Sequence, residues 1–383
     1  MRRRFGTGPR WSIVVVGLAV LLFAGVVFAG GIIAVNYKHM GNLVRVISLV
    51  RSQYLHPVET SDLIDGAIKG LVDSLHDEYS VYLEPKTYAQ LQAQIRGSFG
   101  GLGILVGVKD DYLTVVRVYD NTPAAKKGIK AGDKIVKIGD QDAQGIHLDS
   151  AVELMRGAVG SKIKLTVKRE HEPELLEINL VREEISVPTV EGKVIEGTDI
   201  GYMVLSQFSE KTPDELDKVL SDLEREDIKG IILDLRDNPG GELVSATKVA
   251  NYFLPAGPIV YVDYRVGKDQ TFTADGHRVK LPLVVLVNGN SASAAEILSG
   301  AIKDTGAGTL VGEKTFGKGI VQTVFPLDNE AGLKLTTARY LTPKKKDIHK
   351  KGIEPDVEVK QKPNAQPDLQ FEKAIEIMKQ KIS

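Results

Sequence analysis

Apolar side chains first recur at helical spacing after residue 40. Leu43, Val46, Ile47, Leu49 and Val50 form one stripe, and Leu63, Ile64, Ile68, Leu71, Val72 and Leu75 form another. Residues 41–95 therefore read as an N-terminal helical region. The period then shortens. Alternating patterns predict strands over 112–118, 134–138, 162–168 and 176–180, with a helix near 150–156, which sets residues 97–182 apart as a small β-rich domain. From 185 to 360, apolar strands at 200–205, 230–235 and 283–287 alternate with helices at 213–225, 242–251 and 294–304, and a further strand follows at 333–340. That order predicts an α/β layer. After a linker that starts at residue 361, Phe371, Ile375, Met378 and Ile382 give residues 368–382 an apolar stripe suited to docking on the core.

The first 35 residues follow another logic. Arg2, Arg3, Arg4 and Arg10 lie in a basic tail over residues 1–12, and no charge occurs from Ile13 to Val35. A helix of that length spans about 35 Å, enough for a hydrocarbon core of about 30 Å. Val27-Phe-Ala29 is a poor small-residue cleavage site. The pattern predicts an uncleaved transmembrane signal anchor over 13–35. The basic flank belongs in the cytoplasm, so the expected protein is a single-pass protein of the cell membrane with its remaining chain extracytoplasmic.

Composition removes several classes of function. The net charge of -1 gives no general signal for nucleic acid, and the absence of cysteine excludes disulfides and thiolate metal sites. The seven histidines are scattered without a metal-binding pair, so a zinc peptidase is not expected, and the serine–lysine chemistry considered next needs no metal or other cofactor.

Three segments carry candidate chemistry. Asn288-Gly-Asn-Ser-Ala-Ser-Ala-Ala-Glu296 leaves a buried strand and enters a helix, which exposes a serine hydroxyl beside helix amides. Ser293 and Ser291 are rival nucleophiles here, and Ser293 with Glu296 also fits a capping box. Thr315-Phe-Gly-Lys-Gly-Ile-Val-Gln322 sets a lysine between glycines, and a lysine amine can act as general base for a serine if its surroundings lower its pKa. Gly312 to Gly319 nearly spells a phosphate-binding loop, but Gly319 stands where the hydroxyl residue is needed and a strand pattern follows. The third segment, Asp234-Leu-Arg-Asp-Asn-Pro-Gly-Gly241, ends a strand in paired glycines whose amides can approach a ligand closely. Those amides suit an oxyanion, although an ordinary turn has the same residues.

In this order and spacing the three segments resemble the carboxy-terminal processing peptidases, or tail-specific proteases. The resemblance extends to Ala338-Arg-Tyr340 and Gly352-Ile-Glu-Pro-Asp356. It implies a crotonase-like α/β catalytic core with Ser293 as nucleophile, Lys318 as general base and Gln322 orienting the lysine. Gly240 and the Ala294 amide would form the oxyanion hole, and Ser291 would be structural. Ala295 stands where many members have a third serine. Lys345 stands where the family often has glycine after Thr342-Pro343.

Residues 97–182 resemble a PDZ domain through Gly100-Gly-Leu-Gly-Ile104 and Asp120-Asn-Thr-Pro-Ala-Ala, followed by Gly128-Ile-Lys-Ala-Gly-Asp133. The resemblance implies that Gly101, Leu102, Gly103 and Ile104 hold a peptide carboxylate, with the next strand open to β-augmentation. Arg156 is a regulatory candidate for coupling this domain to the active site, set against a solvated arginine at a helix end. Expected partners are protein or peptide substrates taken by their C-terminal regions, the membrane through the anchor, and a second copy through the helical region. No nucleic acid is expected. Two other classes stand against the peptidase: a membrane-tethered peptide-binding scaffold with an inactive core, and a coenzyme-A enzyme of the crotonase type.

Overall fold

The computed structural model describes residues 39–109, 111–276, 279–362 and 366–383. The chain forms two compact units that divide between Val81 and Tyr82. In the first, a helix spans residues 39–53 and α1 spans Thr60–Asp73. Val72 is buried, whereas Leu43, Val46, Leu49, Leu71 and Leu75 are exposed.

The first helix of the second unit is α2, Pro85–Arg96, so the single helical region expected over 41–95 is divided between units. Pro85 suits the first turn, where its missing N–H costs nothing. Gly97 ends the helix at φ 71°, and a Cβ there would come within 2.6 Å of Ser209 Oγ. The β-rich module follows with β1 (Ser98–Gly101), β2 (Ile104–Lys109), β3 (Tyr112–Val118), β4 (Lys134–Ile138), α3 (Leu148–Met155), β5 (Lys162–Lys168), β6 (Leu176–Val181) and β7 (Glu183–Ser186). Strands β2-β3-β4-β5-β6 form an antiparallel sheet in that order, and β1 pairs with β7. Leu113, Val115, Ile135, Leu165 and Val167 alternate inward and close on Ala151 of α3. Strand β2 is at the sheet edge, so its outer backbone groups lack a sheet partner.

The larger domain runs through β8 (Val190–Val194), β9 (Ile200–Leu205), α4 (Thr212–Glu224), β10 (Gly230–Asp234), α5 (Leu243–Phe253), β11 (Gly257–Tyr264), β12 (Gln270–Ala274), β13 (Leu283–Val287), α6 (Ala294–Thr305), β14 (Thr309–Gly312), β15 (Ile320–Pro326), β16 (Gly332–Leu341), β17 (Val357–Glu358) and α7 (Leu369–Ile382). Its central sheet has the order β8-β9-β10-β13-β14-β17, parallel except for the β8–β9 pair. In β10, Ile231 and Leu233 pack with Leu216, Val249 and Leu298 of α4, α5 and α6. Ile232 faces the other way, with Ala374 and Met378 of α7. A strand covered on both faces must be apolar throughout, which accounts for the unbroken runs in β10 and β13. A second sheet joins β15, β16, β11 and β12 by antiparallel pairing.

Arg236, just past β10, fastens α7 to this sheet. Its Nη1 donates to both oxygens of Asp368 at 2.9 Å, and its Nη2 donates to Asp234 Oδ2 at 2.7 Å.

One expectation is corrected. Among the described residues no helix is long and apolar enough to cross a membrane. The helices α1 and α7 each have 14 residues, where a crossing needs about 20. The stretch over 13–35 read as a membrane span lies outside the described residues. Over the described residues the architecture is a mixed α/β fold, and none of its helices is the expected transmembrane segment.

Candidate active site

The site forms where the turns after β10 and β13 meet the loop before β15. The first turn depends on glycine. Gly240 has φ 96° and Gly241 φ 143°. A Cβ on Gly240 would lie 2.8 Å from Ala292 O, Ala294 N and Ser293 Cβ, and one on Gly241 would lie 1.9 Å from Phe208 O. The missing side chains let this turn press against the serine loop. Buried Asn238 braces it: Nδ2 donates to Leu205 O at 2.7 Å, and Oδ1 accepts the Gly240 amide at 2.8 Å. Gly240 and Ala294 are thus adjacent, but the Gly240 N–H is directed at Asn238. Ala294 opens α6, so its amide has no partner within the helix.

The two serines differ in environment. Ser291 is fully buried; its Oγ donates to Leu235 O at 2.8 Å and accepts the Asn288 amide at 3.0 Å. It joins the ends of β10 and β13. Nearby, Asn290 and Asn288 donate to Asp237 Oδ1 at 2.8 and 3.0 Å, which holds that carboxyl below its ordinary range. Ser293 is half-buried and lines an open cleft. Its backbone, at φ 55° and ψ -115°, lies where L residues are rare, a strain of about 1–3 kcal/mol. Its amide donates to Glu296 Oε2 at 2.9 Å, and its carbonyl accepts from Glu296 N at 2.8 Å and Ile297 N at 3.0 Å.

Glu296 also holds the lysine loop. Its carboxylate is fully buried and accepts from Thr315 Oγ1 at 2.6 Å, Gly317 N at 2.7 Å and Lys318 N at 2.8 Å. Hydrogen bonds of this number can satisfy a buried carboxylate. Gly317 and Gly319 flank Lys318 because a Cβ on Gly319 would approach His349 N to 2.6 Å, and Gly317 has φ 94°. Tyr340 closes the arrangement from β16. Its buried hydroxyl lies between the carbonyls of Ser293, at 3.0 Å, and Lys318. Burial first, and then the Glu296 charge, push the phenol well above its ordinary range, so it remains a donor.

Ser293, Ala294, Lys318, Gln322 and Gly241 line one cleft of about 540 Å³, with Phe208, Leu243, Ile297 and Val321 as apolar wall. Lys318 is half-buried there. The Gln322 amide donates to Thr336 Oγ1 at 3.5 Å. Sequence reasoning gave Glu296 only a capping role and missed Asn238, Thr315 and Tyr340. The Ser-x-x-Glu spacing was the available signal for Glu296.

In the β-rich module Gly101, Leu102, Gly103 and Ile104 lead into the edge strand β2. Leu102 is buried, and Gly103 has φ 77° with no room for a Cβ beside Thr122. Arg156 does not line the catalytic cleft. It is exposed, with its guanidinium 4.4 Å from the centre of the Phe99 ring.

Three family models match successive parts of the chain. Residues 199–359 match the model of peptidase family S41, residues 100–180 that of the PDZ domain, and residues 33–87 that of the activating protease CtpB N-terminal domain. The chain is 36% identical over 328 residues to carboxy-terminal processing protease CtpB of Bacillus subtilis, covering 85% of this chain and 68% of that protein. It is 40% identical over 333 residues to the carboxy-terminal-processing protease of Bartonella bacilliformis, covering 85% and 76%. Among solved structures, the photosystem II D1 C-terminal processing protease superposes with a TM-score of 0.50 at 30% identity, over 80% of this chain and 84% of that one. A serine loop and a lysine loop held by one buried carboxylate, beside a PDZ module, therefore occur here in a peptidase, and the chain belongs to the carboxy-terminal processing proteases of family S41.

Proposed function

We propose that this peptidase is a serine endopeptidase that cuts protein substrates near their C-terminal ends with a Ser293–Lys318 dyad. The observation that carries this reading is the shared carboxylate: Glu296 accepts the amides of both residues, and both line one cleft. In the reaction, neutral Lys318 Nζ takes the Ser293 proton while Oγ bonds to the scissile carbonyl carbon. The carbonyl π electrons move to oxygen, and the amides of Ala294 and Gly240 receive the oxyanion. Each such donor is worth about 3 kcal/mol in a comparable enzyme. For this the Gly240 N–H must turn from Asn238 Oδ1 to the substrate. Protonated Lys318 then gives its proton to the leaving amine, and water attacks the acyl-serine with Lys318 again as base. An ordinary lysine titrates near pH 10.4, so substrate must desolvate the amine in the cleft. Gln322, which lines the same cleft, is the residue that orients the lysine in this reading.

The PDZ module takes the substrate's C-terminal region on the edge of β2, with the loop of Gly101 to Ile104 receiving the carboxylate. Exposed apolar residues such as Leu43, Val46 and Leu71 support pairing with a second copy. The deciding experiment is turnover of a peptide library with Ser293→Ala as control. Equal hydrolysis by the variant excludes Ser293 chemistry, and no hydrolysis by either protein favours a peptide-binding scaffold.

A further inference from the structure

A second cavity of about 500 Å³ adjoins the catalytic cleft, and the two share Leu91, Gln94 and Lys334 as wall. Its polar lining is one-sided. Two cations, Arg156 and Lys334, and three amides, Gln90, Gln94 and Gln207, face the space, and no aspartate or glutamate does. Lys334 is half-buried on β16, and neither cation pairs with a carboxylate among the described residues. Lysine gives up solvent only at a cost, and an unpaired, partly desolvated ammonium attracts an anion more strongly than one in open water. Glutamine amides add donors that suit carboxylate oxygens.

We infer that this cavity is a carboxylate-binding subsite that selects substrates with an acidic group C-terminal to the scissile bond. The inference rests on the peptidase reading above. A substrate whose tail is held by the PDZ module must pass from that module to Ser293, and the cavity lies on that path. Arg156 and Phe99 belong to the PDZ side, and Lys334 reaches the cleft itself. The group bound is a carboxylate, supplied by an Asp or Glu side chain or by the terminal carboxyl of a short tail.

The test uses the full chain and four versions of one cleavable peptide. Two glutamates or two glutamines follow the cut, each peptide with a free-acid or an amidated end. The readout is the ratio of kcat/KM within each enzyme form. Wild type should favour the glutamate peptides by about three- to tenfold, mainly through KM, the range of a partly exposed ion pair with charged hydrogen bonds. Added salt should shrink the ratio. Lys334→Gln should bring it near one and Lys334→Glu should invert it; Arg156→Gln reads the same ratio if the Lys334 variants fail to fold. A preference that follows the free-acid end rather than glutamate assigns the terminal carboxyl as the group bound. Equal cleavage of all four peptides by wild type, or a ratio unchanged in the variants, overturns the subsite and leaves the peptidase reading intact. Cleavage of none overturns both.

Discussion

The main-chain amides of Ser293 and Lys318 converge on one atom, Oε2 of Glu296, at 2.9 and 2.8 Å. Nucleophile and candidate base thus share one support, which each meets through its main-chain amide. Glu296→Gln replaces one acceptor oxygen by an NH2 group that faces N–H or O–H donors. The expected loss is about 1–3 kcal/mol of stability, measured by urea unfolding. Activity should fall roughly 100-fold, mainly in kcat, as loosened loops misplace the reacting groups. Full activity in a folded variant would remove Glu296 from any positioning role.

The two serines should separate by phenotype. Ser293→Ala should abolish hydrolysis. Ser291→Ala should keep it while losing about 1–3 kcal/mol of stability, because Leu235 O and Asn288 N lose a buried partner. Ser293→Gly should be inactive yet about 1 kcal/mol more stable than wild type, since glycine relieves the strain at φ 55°. Thermal unfolding and a peptide assay on the three variants check the set.

Lys318→Ala should remove activity, and Lys318→Arg should not restore it, because guanidinium stays protonated at working pH. The wild-type pH–rate profile should decline on the acid side as the amine gains its proton. An active arginine variant would exclude a neutral-lysine mechanism.

Tyr340 predicts an alkaline effect. Its folded pKa lies above the unfolded value near 10, so its contribution is complete below that pH and is lost as pH rises toward the folded value. Tyr340→Phe should be less stable than wild type at neutral pH, by about 1 kcal/mol for the lost hydroxyl contacts. It should also show a shallower decline in stability above pH 10. Parallel pH–stability curves for the two proteins would mean that Tyr340 ionises as it does in the unfolded chain.

Peptide capture by the PDZ module should require a free carboxylate. With Ser293→Ala to prevent turnover, amidating a peptide with an apolar C-terminus should weaken binding about 10- to 100-fold, the worth of hydrogen bonds to a charged group. Calorimetric titration of both peptides tests this, and equal affinities would leave the module as a gate or spacer.

Much of the fold was legible because burial on both faces leaves a plain mark. Strands β9, β10 and β13 are apolar runs bounded by turn residues, and α7 carries its stripe openly. The site was legible in its side chains but not in its supports. Glu296 reads as a cap because Ser293 is three residues away, whereas Thr315 and Gly317 arrive from 19 and 21 residues away. Asn238 reads as a turn former, so its grip on Gly240 stays hidden. Tyr340 sits in an alternating strand and looks like ordinary core. Ser291 and Ser293 are equivalent as letters; burial, hydrogen bonding and backbone strain distinguish them. The helical region over 41–95 reads as one block because periodicity records amphipathic faces, not the partners they find.

The fastening of α7 has a consequence in time. Arg236 stands four residues before Gly240, and its grip on Asp368 spans 132 positions of chain. During synthesis the strands that bear Ile200, Ile232, Val284, Leu286 and Val311 leave the ribosome well before Ala374 and Met378 can cover them. Until then one face of the catalytic sheet is bare and Arg236 lacks its Asp368 partner. A nascent chain therefore carries all of its candidate reactive residues before α7 can cover the sheet that positions them, so full competence to cut awaits that helix.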